Sequence, residues 1–136
     1  MPKLFLIFSH KLTDHQVKDA EETLGIEEFT YMPDYLQTQW SNVNPCGDLP
    51  VELFHQLKQW LIENAASEDY VLIQGDFGAT YITVNMAFEL GLIPVYATTE
   101  RISKEIANKN GEIERKQIFK HVCYRKYNKL EDMVDG

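Results

Sequence analysis

The sequence predicts an α/β fold, a mostly parallel sheet flanked by helices and ending in a C-terminal β-hairpin. Three observations carry this. Tyr70–Thr99 reads as strand, tight glycine turn, helix and second strand. From Lys3 onward, short apolar runs alternate with segments of helical spacing, and the order β-α-β-α-β-α-β favours an open parallel sheet with helices on both faces. Asn110-Gly111, set between two arms rich in β-formers, is a strong hairpin-turn signal. The pattern is that of a compact, Rossmann-like single domain over residues 1–136, with the hairpin at approximately 101–127.

The elements follow in order. Lys3–Phe8 is a lysine followed by five apolar residues, the signature of a central strand buried on both faces. Ser9-His10-Lys11-Leu12 turns the chain. Thr13 then starts a helix, with Asp14 in its first turn and Gln16 three residues on, as a capping box requires. Gly25 stops that helix after Leu24, and Ile26–Met32 forms a second strand closed by Pro33. Between Asp34 and Pro50 the pattern is weak: Tyr35, Leu36 and Trp40 suit a short helix, and Asn42–Pro50 is rich in turn formers. Leu49–Ala65 is a helix with Pro50 in its first turn and a stripe of Leu53, Leu57, Trp60, Leu61 and Ala65.

Tyr70–Gln74 is the third strand. Gly75-Asp76-Phe77-Gly78 breaks it, and Ala79–Leu90 resumes helical spacing. Ile82, Met86 and Leu90 make one stripe of this helix, with Ala79, Thr83 and Ala87 beside it. Gly91 stands where a helix C-terminus needs positive φ, and Ile93–Ala97 is the fourth strand. In the tail, Arg101–Ala107 and Glu112–Tyr127 flank Asn108–Gly111, and Ile118, Val122 and Tyr124 suggest a half-buried second arm. Such a hairpin is a common place for a dimer contact or a lid.

Composition narrows the function classes. A chain of 136 residues with 44% hydrophobic and 25% charged residues is that of an ordinary globular domain with a genuine core. Two cysteines, Cys46 and Cys123, make no disulfide framework, so a reducing cytoplasm is expected. Leu4–Phe8 is too short for a signal peptide or a membrane span. A net charge of −8 argues against a duplex nucleic-acid binder. Nine of the thirteen Lys and Arg nevertheless lie between Arg101 and Lys129.

In doubly wound sheets, ligands bind beyond the carboxyl ends of the strands. Three such ends are expected: Ser9-His10, Gly75–Thr80, and Thr98-Thr99-Glu100-Arg101. Gly75-Asp76-Phe77-Gly78-Ala79-Thr80 is neither a Walker A sequence nor GxGxxG. A strand entering a helix through glycines still gathers free backbone N–H groups at the positive helix end, which suits a phosphate. Asp76 is then a ribose or water acceptor and Thr80 a donor; alternatively the segment is a tight turn with Asp76 as its N-cap. His10 has the chemistry of a general acid or base, and Ser9 that of a phosphate donor. The plainer alternative is a solvated turn.

Arg101 could neutralise charge on a phosphodiester, or be an exposed arginine at the hairpin base. Trp40 could stack on a base or fill a satellite core. His15, His55 and His121 lie in helix or strand contexts that suit structural or exposed roles. His121 and Cys123 are the only close Cys/His neighbours and no HExxH occurs, so neither a metal site nor a cofactor is expected.

The segments KLFLIFSHKLT, DYVLIQGDFGATYITVNMAFELGLIPVYATTER and IFKHVCYRKY resemble a small family of CRISPR-associated proteins of type III systems. QGDFGATY and IPVYATTxR are the most specific stretches. The resemblance implies a compact, CARF-like domain acting as a ring nuclease on cyclic oligoadenylate, chiefly cyclic tetra-adenylate, bound across the two-fold axis of a homodimer. It implies metal-independent cleavage, in which the ribose 2′-hydroxyl attacks the neighbouring phosphorus and leaves a 2′,3′-cyclic phosphate. Ser9, His10, Gly75–Thr80, Thr98, Thr99 and Arg101 supply suitable groups, with His10 and Arg101 as the catalytic pair. Two alternatives stand beside it: a non-catalytic sponge for the same ligand, and an adaptor module without a nucleotide.

Overall fold

The computed structural model describes residues 2–134. Five strands, β1 (Lys3–Ile7), β2 (Glu28–Tyr31), β3 (Tyr70–Ile73), β4 (Ile93–Ala107) and β5 (Ile113–Lys126), form one sheet in the order β2-β1-β3-β4-β5. The first four pair in parallel, and β5 runs antiparallel to β4. The α/β class with a C-terminal hairpin is therefore as expected. Five helices accompany the sheet: α1 (Asp14–Leu24), α2 (Asp34–Ser41), α3 (Val51–Asn64), α4 (Phe77–Glu89) and the short α5 (Leu130–Met133). Among the described residues no helix is long and apolar enough to cross a membrane.

The strand sequences decide which face each helix covers. In β1 every residue from Leu4 to Ile7 has 0% exposure. Alternation sends Phe5 and Ile7 to one face, where Val71 and Ile73 of β3 join them under α2, α3 and α4. Leu4, Leu6 and Leu72 point to the other face, packed with Ala20 of α1, Ile26 and Val95. The capping box forms as the sequence requires: Thr13 Oγ1 accepts from Gln16 N at 3.2 Å, and Gln16 Oε1 accepts from Thr13 N at 2.9 Å. Gly25 ends α1 in the left-handed region.

Three local expectations need correction. Strand β4 does not end at Ala97 but continues to Ala107. Beyond Val95 it has no β3 partner, yet it stays extended because β5 pairs with it through to Ile113. Thr98, Thr99 and Arg101 therefore lie inside a strand and not on a loop at its end. The second arm is not the half-buried stripe expected either, since Ile118 and Val122 are exposed while His121 is buried. The register shifts at Thr98/Thr99, where Thr98 faces Cys123 and Thr99 faces His121, so Val122 is the extra residue of a bulge. On α4 the buried stripe is Ala79, Thr83, Met86 and Ala87, and Ile82 is exposed. Trp40 belongs to the short helix α2 and is buried in the core, so of its two readings the packing one holds and the base-stacking one falls.

Candidate functional site

The order β2-β1-β3-β4 reverses direction between β1 and β3. The chain leaves β1 through α1 for β2 on one side, then crosses back to β3 on the other. At such a reversal the loops leaving the two central strands diverge and open a crevice at their carboxyl ends. A hollow of about 250 Å³ lies there, lined by Phe8, Ser9, His10, Gln74 and Gly75. Two of the three expected strand ends are thus brought together by topology alone.

Each wall has a local cause. His10 is exposed and its ring meets Phe8 edge-on, with centroids 5.4 Å apart. Gln74 is held on three sides. Its N–H donates to Ile7 O at 3.1 Å, its carbonyl accepts from Trp40 Nε1 at 2.9 Å, and its side-chain Oε1 accepts from Ala97 N at 2.8 Å. Gly75 must be glycine because the indole lies directly against it: a Cβ there would fall 2.6 Å from Trp40 Nε1. The buried tryptophan therefore shapes the floor of the hollow instead of meeting a ligand.

At the start of α4, Asp76 is the N-cap, its Oδ2 accepting from Ala79 N at 2.9 Å. The buried Ala79 thereby spends its N–H on the protein's own carboxylate. Phe77 and Gly78, at the first two helical positions, have no intrahelical acceptor for theirs. Phe77 is 94% exposed and lines a groove along α4. A Cβ on Gly78 would meet Leu49 at 3.2 Å, so this glycine admits the loop before α3 against the helix start. Thr80 faces elsewhere, lining a 790 Å³ groove with Phe77, Tyr81, Phe88, Tyr127 and Leu130, and its buried Oγ1 has no partner.

The third group stands apart. Thr98 Oγ1 is committed to the bulge, donating to Cys123 O at 3.1 Å and accepting from Cys123 N at 3.2 Å. Thr99 lines a separate hollow between α1 and the hairpin. Arg101 is exposed, with its guanidinium carbon 5.2 Å from the centre of the Phe119 ring, and it lines neither hollow. The predicted residues thus divide three ways: Ser9, His10 and Gly75 at the crevice; Asp76 to Thr80 along α4; and Thr98, Thr99 and Arg101 on the hairpin.

Sequence reasoning missed Gln74 and the pair His121–Asp19, whose Nε2 and Oδ2 are 2.8 Å apart. Gln74 had a weak signal as a polar residue closing an apolar strand at a glycine. The His121–Asp19 pair had none, because it joins positions 102 residues apart. Among the described residues no group of three or more His, Cys, Asp or Glu is placed to hold a metal ion.

No solved structure matches the chain. It is similar to "Uncharacterized protein MJ1673" of Methanocaldococcus jannaschii, 52% identical over 128 residues that cover 94% of this chain and 98% of that protein. The model of the uncharacterized protein MJ1673 family matches residues 2–125. On that match, the chain belongs to the uncharacterized protein MJ1673 family.

Proposed function

We propose that this protein is a metal-independent ring nuclease of the cytoplasm. It cleaves cyclic tetra-adenylate to linear oligoadenylate and so ends a type III CRISPR signal. The observation that carries the proposal is the meeting of Ser9, His10 and Gly75 at the topological switch point, with Phe77 and Gly78 opening α4 two and three residues after Gly75. The chemistry asks for few groups. The 2′-oxygen attacks phosphorus in line, the bond to the 5′-oxygen breaks, and the proton lost by the 2′-hydroxyl is matched by one gained at the 5′-oxygen. His10 is the group suited to move a proton, and Ser9 and the helix N–H groups are suited to hold the phosphate. The exposed Phe77 offers a face for an adenine.

A homodimer belongs to the same proposal. The hairpin arms expose Ile106, Ile113 and Val122, and a two-stranded ribbon needs a further layer to be stable. A second copy supplies that layer, and a symmetric ring on the two-fold axis would meet each site twice.

One observation favours sequestration without cleavage: Arg101, the expected partner in charge stabilisation, stacks on Phe119 and lies outside the hollow. Incubation with labelled cyclic tetra-adenylate in EDTA separates the readings. Linear product ending in a 2′,3′-cyclic phosphate on a denaturing gel supports the nuclease. A retained complex without product on a native gel supports the sponge. Neither signal sinks both and leaves the adaptor. For a nuclease, His10→Ala is expected to slow cleavage by about 10²–10⁴-fold with a much smaller change in Kd.

A further inference from the structure

The most unusual buried group lies outside the crevice. His121 projects from β5 with its side chain only 4% exposed, and its Nε2 is 2.8 Å from Asp19 Oδ2 on α1. An ionised carboxylate only accepts, so Nε2 carries the shared proton and Nδ1 is the ring nitrogen left over. That Nδ1 is buried and has no hydrogen-bond partner. A buried ring nitrogen without a hydrogen-bond partner is destabilising, and such atoms call for a specific cause.

His121 lines a hollow of about 550 Å³ between the start of α1 and the hairpin. Its walls combine three kinds of group. Phe119, Ile102 and Ile118 are apolar; Thr13, Gln16 and Thr99 are uncharged hydrogen-bonding residues; Lys104, Lys120 and the exposed His15 can carry positive charge. Neither lysine is in an ion pair among the described residues, with Glu100 lying directly across the ladder from Lys120. Lys104 also lies directly across the ladder from Lys116, a like-charge pairing that weakens a hairpin unless an anion lies near it.

We infer that this hollow is a binding site for a ligand joining an aromatic base to a phosphate. Its base packs on Phe119, its phosphate lies between Lys104 and Lys120, and its sugar hydroxyl, which can donate or accept, hydrogen-bonds Nδ1 of His121. The volume is that of an ordinary small-molecule site. Asp19 holds Nε2, so Nδ1 is the nitrogen left unpaired. Two rings adjoin it: His15 edge-on, with centroids 5.2 Å apart, and Tyr124 at 5.0 Å. Tyr124 is tied down by its hydroxyl, which donates to Gln16 O at 2.9 Å. His15 is exposed, and the proposed site requires its ring to turn aside to admit a ligand to Nδ1. The inference does not depend on ring cleavage, although Thr13 follows His10 by three residues, so a multi-nucleotide ligand could span both hollows.

Adenosine 5′-monophosphate is the probe, read by long-range ¹H–¹⁵N correlation of the histidine side chains in the full chain. Saturable shifts of the His121 and His15 ring nitrogens are expected, with Lys104→Ala/Lys120→Ala weakening them on the order of tenfold. These lysines are exposed, so the double variant should fold normally. Inorganic phosphate should move His15 more weakly and leave His121 Nδ1 unchanged. Absence of any shift with the nucleotide, or equal affinity in the double variant, overturns the site. If His121 responds but no ring is cleaved or bound, the function proposed above falls and this site stands. If rings are cleaved without any response at His121, the reverse holds.

Discussion

The parallel body and the hairpin ribbon are made from the same residue types but are stabilised differently. In β1, Leu4 to Ile7 are fully buried because α1 covers one face and α2, α3 and α4 the other. Along the hairpin, nearly every residue from Arg101 to Lys120 is exposed, and Ile113 is 68% exposed. Its base is fastened to the body through His121 to Asp19 and Tyr124 to Gln16 O. The body therefore carries its stability within the chain. The ribbon owes its order to turn chemistry, cross-strand pairs and whatever covers it.

The sharpest test of that contrast removes the same kind of side chain from each region. Leu72→Ala is expected to cost about 2–5 kcal/mol, because a fully buried leucine leaves a cavity between close-packed neighbours. Ile113→Ala in the monomer should cost less than about 1 kcal/mol. Urea denaturation at low protein concentration measures both. Equal losses would mean that the hairpin is packed within its own chain, and the contrast would be wrong. A loss at Ile113 that grows with protein concentration would instead place a second copy on the ribbon, and light scattering of wild type and Ile113→Lys would count the copies.

Glycines give the next largest difference. Gly75 is required by packing, since its Cβ would collide with the Trp40 indole at 2.6–2.9 Å. Gly111 has open space around it but a φ of +78°, which side chains disfavour. Gly75→Ala should cost about 1–3 kcal/mol by overpacking and displace the floor of the crevice. Gly111→Ala should cost about 1 kcal/mol through backbone strain alone. Tryptophan fluorescence distinguishes them: it should shift for Gly75→Ala and stay unchanged for Gly111→Ala. A matching shift in both variants would show that the two glycines do not act by separate causes.

The same division explains what could be read from the sequence. Body elements carry local signals: the capping box at Thr13 and Gln16, the stop at Gly25, the buried run of β1, and the stripe of α3. Their order then brings Ser9, His10 and Gly75 to one edge. What escaped detection depends on pairing between distant positions. A bulge at Val122 switches which residues of β5 are buried, and nothing near Val122 announces it. The continuation of β4 past Ala97 is dictated by its partner strand, and Arg101 is drawn onto Phe119 by register. The helix stripe failed at Ile82 because α4 is apolar on several sides, so its buried side is chosen by α3 and the sheet. For Trp40 the helix and the core position were legible, while the indole's role as hydrogen-bond donor to Gln74 O emerges only in the assembled crevice.

The smallest expected effect is titration of the fastening itself. Burial, then the charge of Asp19, then Tyr31 raise the Tyr124 hydroxyl well above its ordinary range. In the folded chain it stays protonated and donates to Gln16 O; in the unfolded chain it ionises near pH ~10. An acid raised by folding contributes stability that is fully present below the unfolded value and is lost as pH climbs from there toward the folded one. Tyr127 is raised mainly by burial, and its hydroxyl donates to Ile73 O at 2.7 Å within the body. Between pH 9 and pH 11 the urea midpoint of the wild type should fall. Tyr124→Phe and Tyr127→Phe should each flatten that fall, having no phenol left to ionise. Only Tyr124→Phe should also speed amide exchange at the base of the hairpin, because it alone unties β5 from α1. Faster exchange there in Tyr127→Phe, or none in Tyr124→Phe, would move the hinge between body and ribbon away from the Tyr124–Gln16 contact.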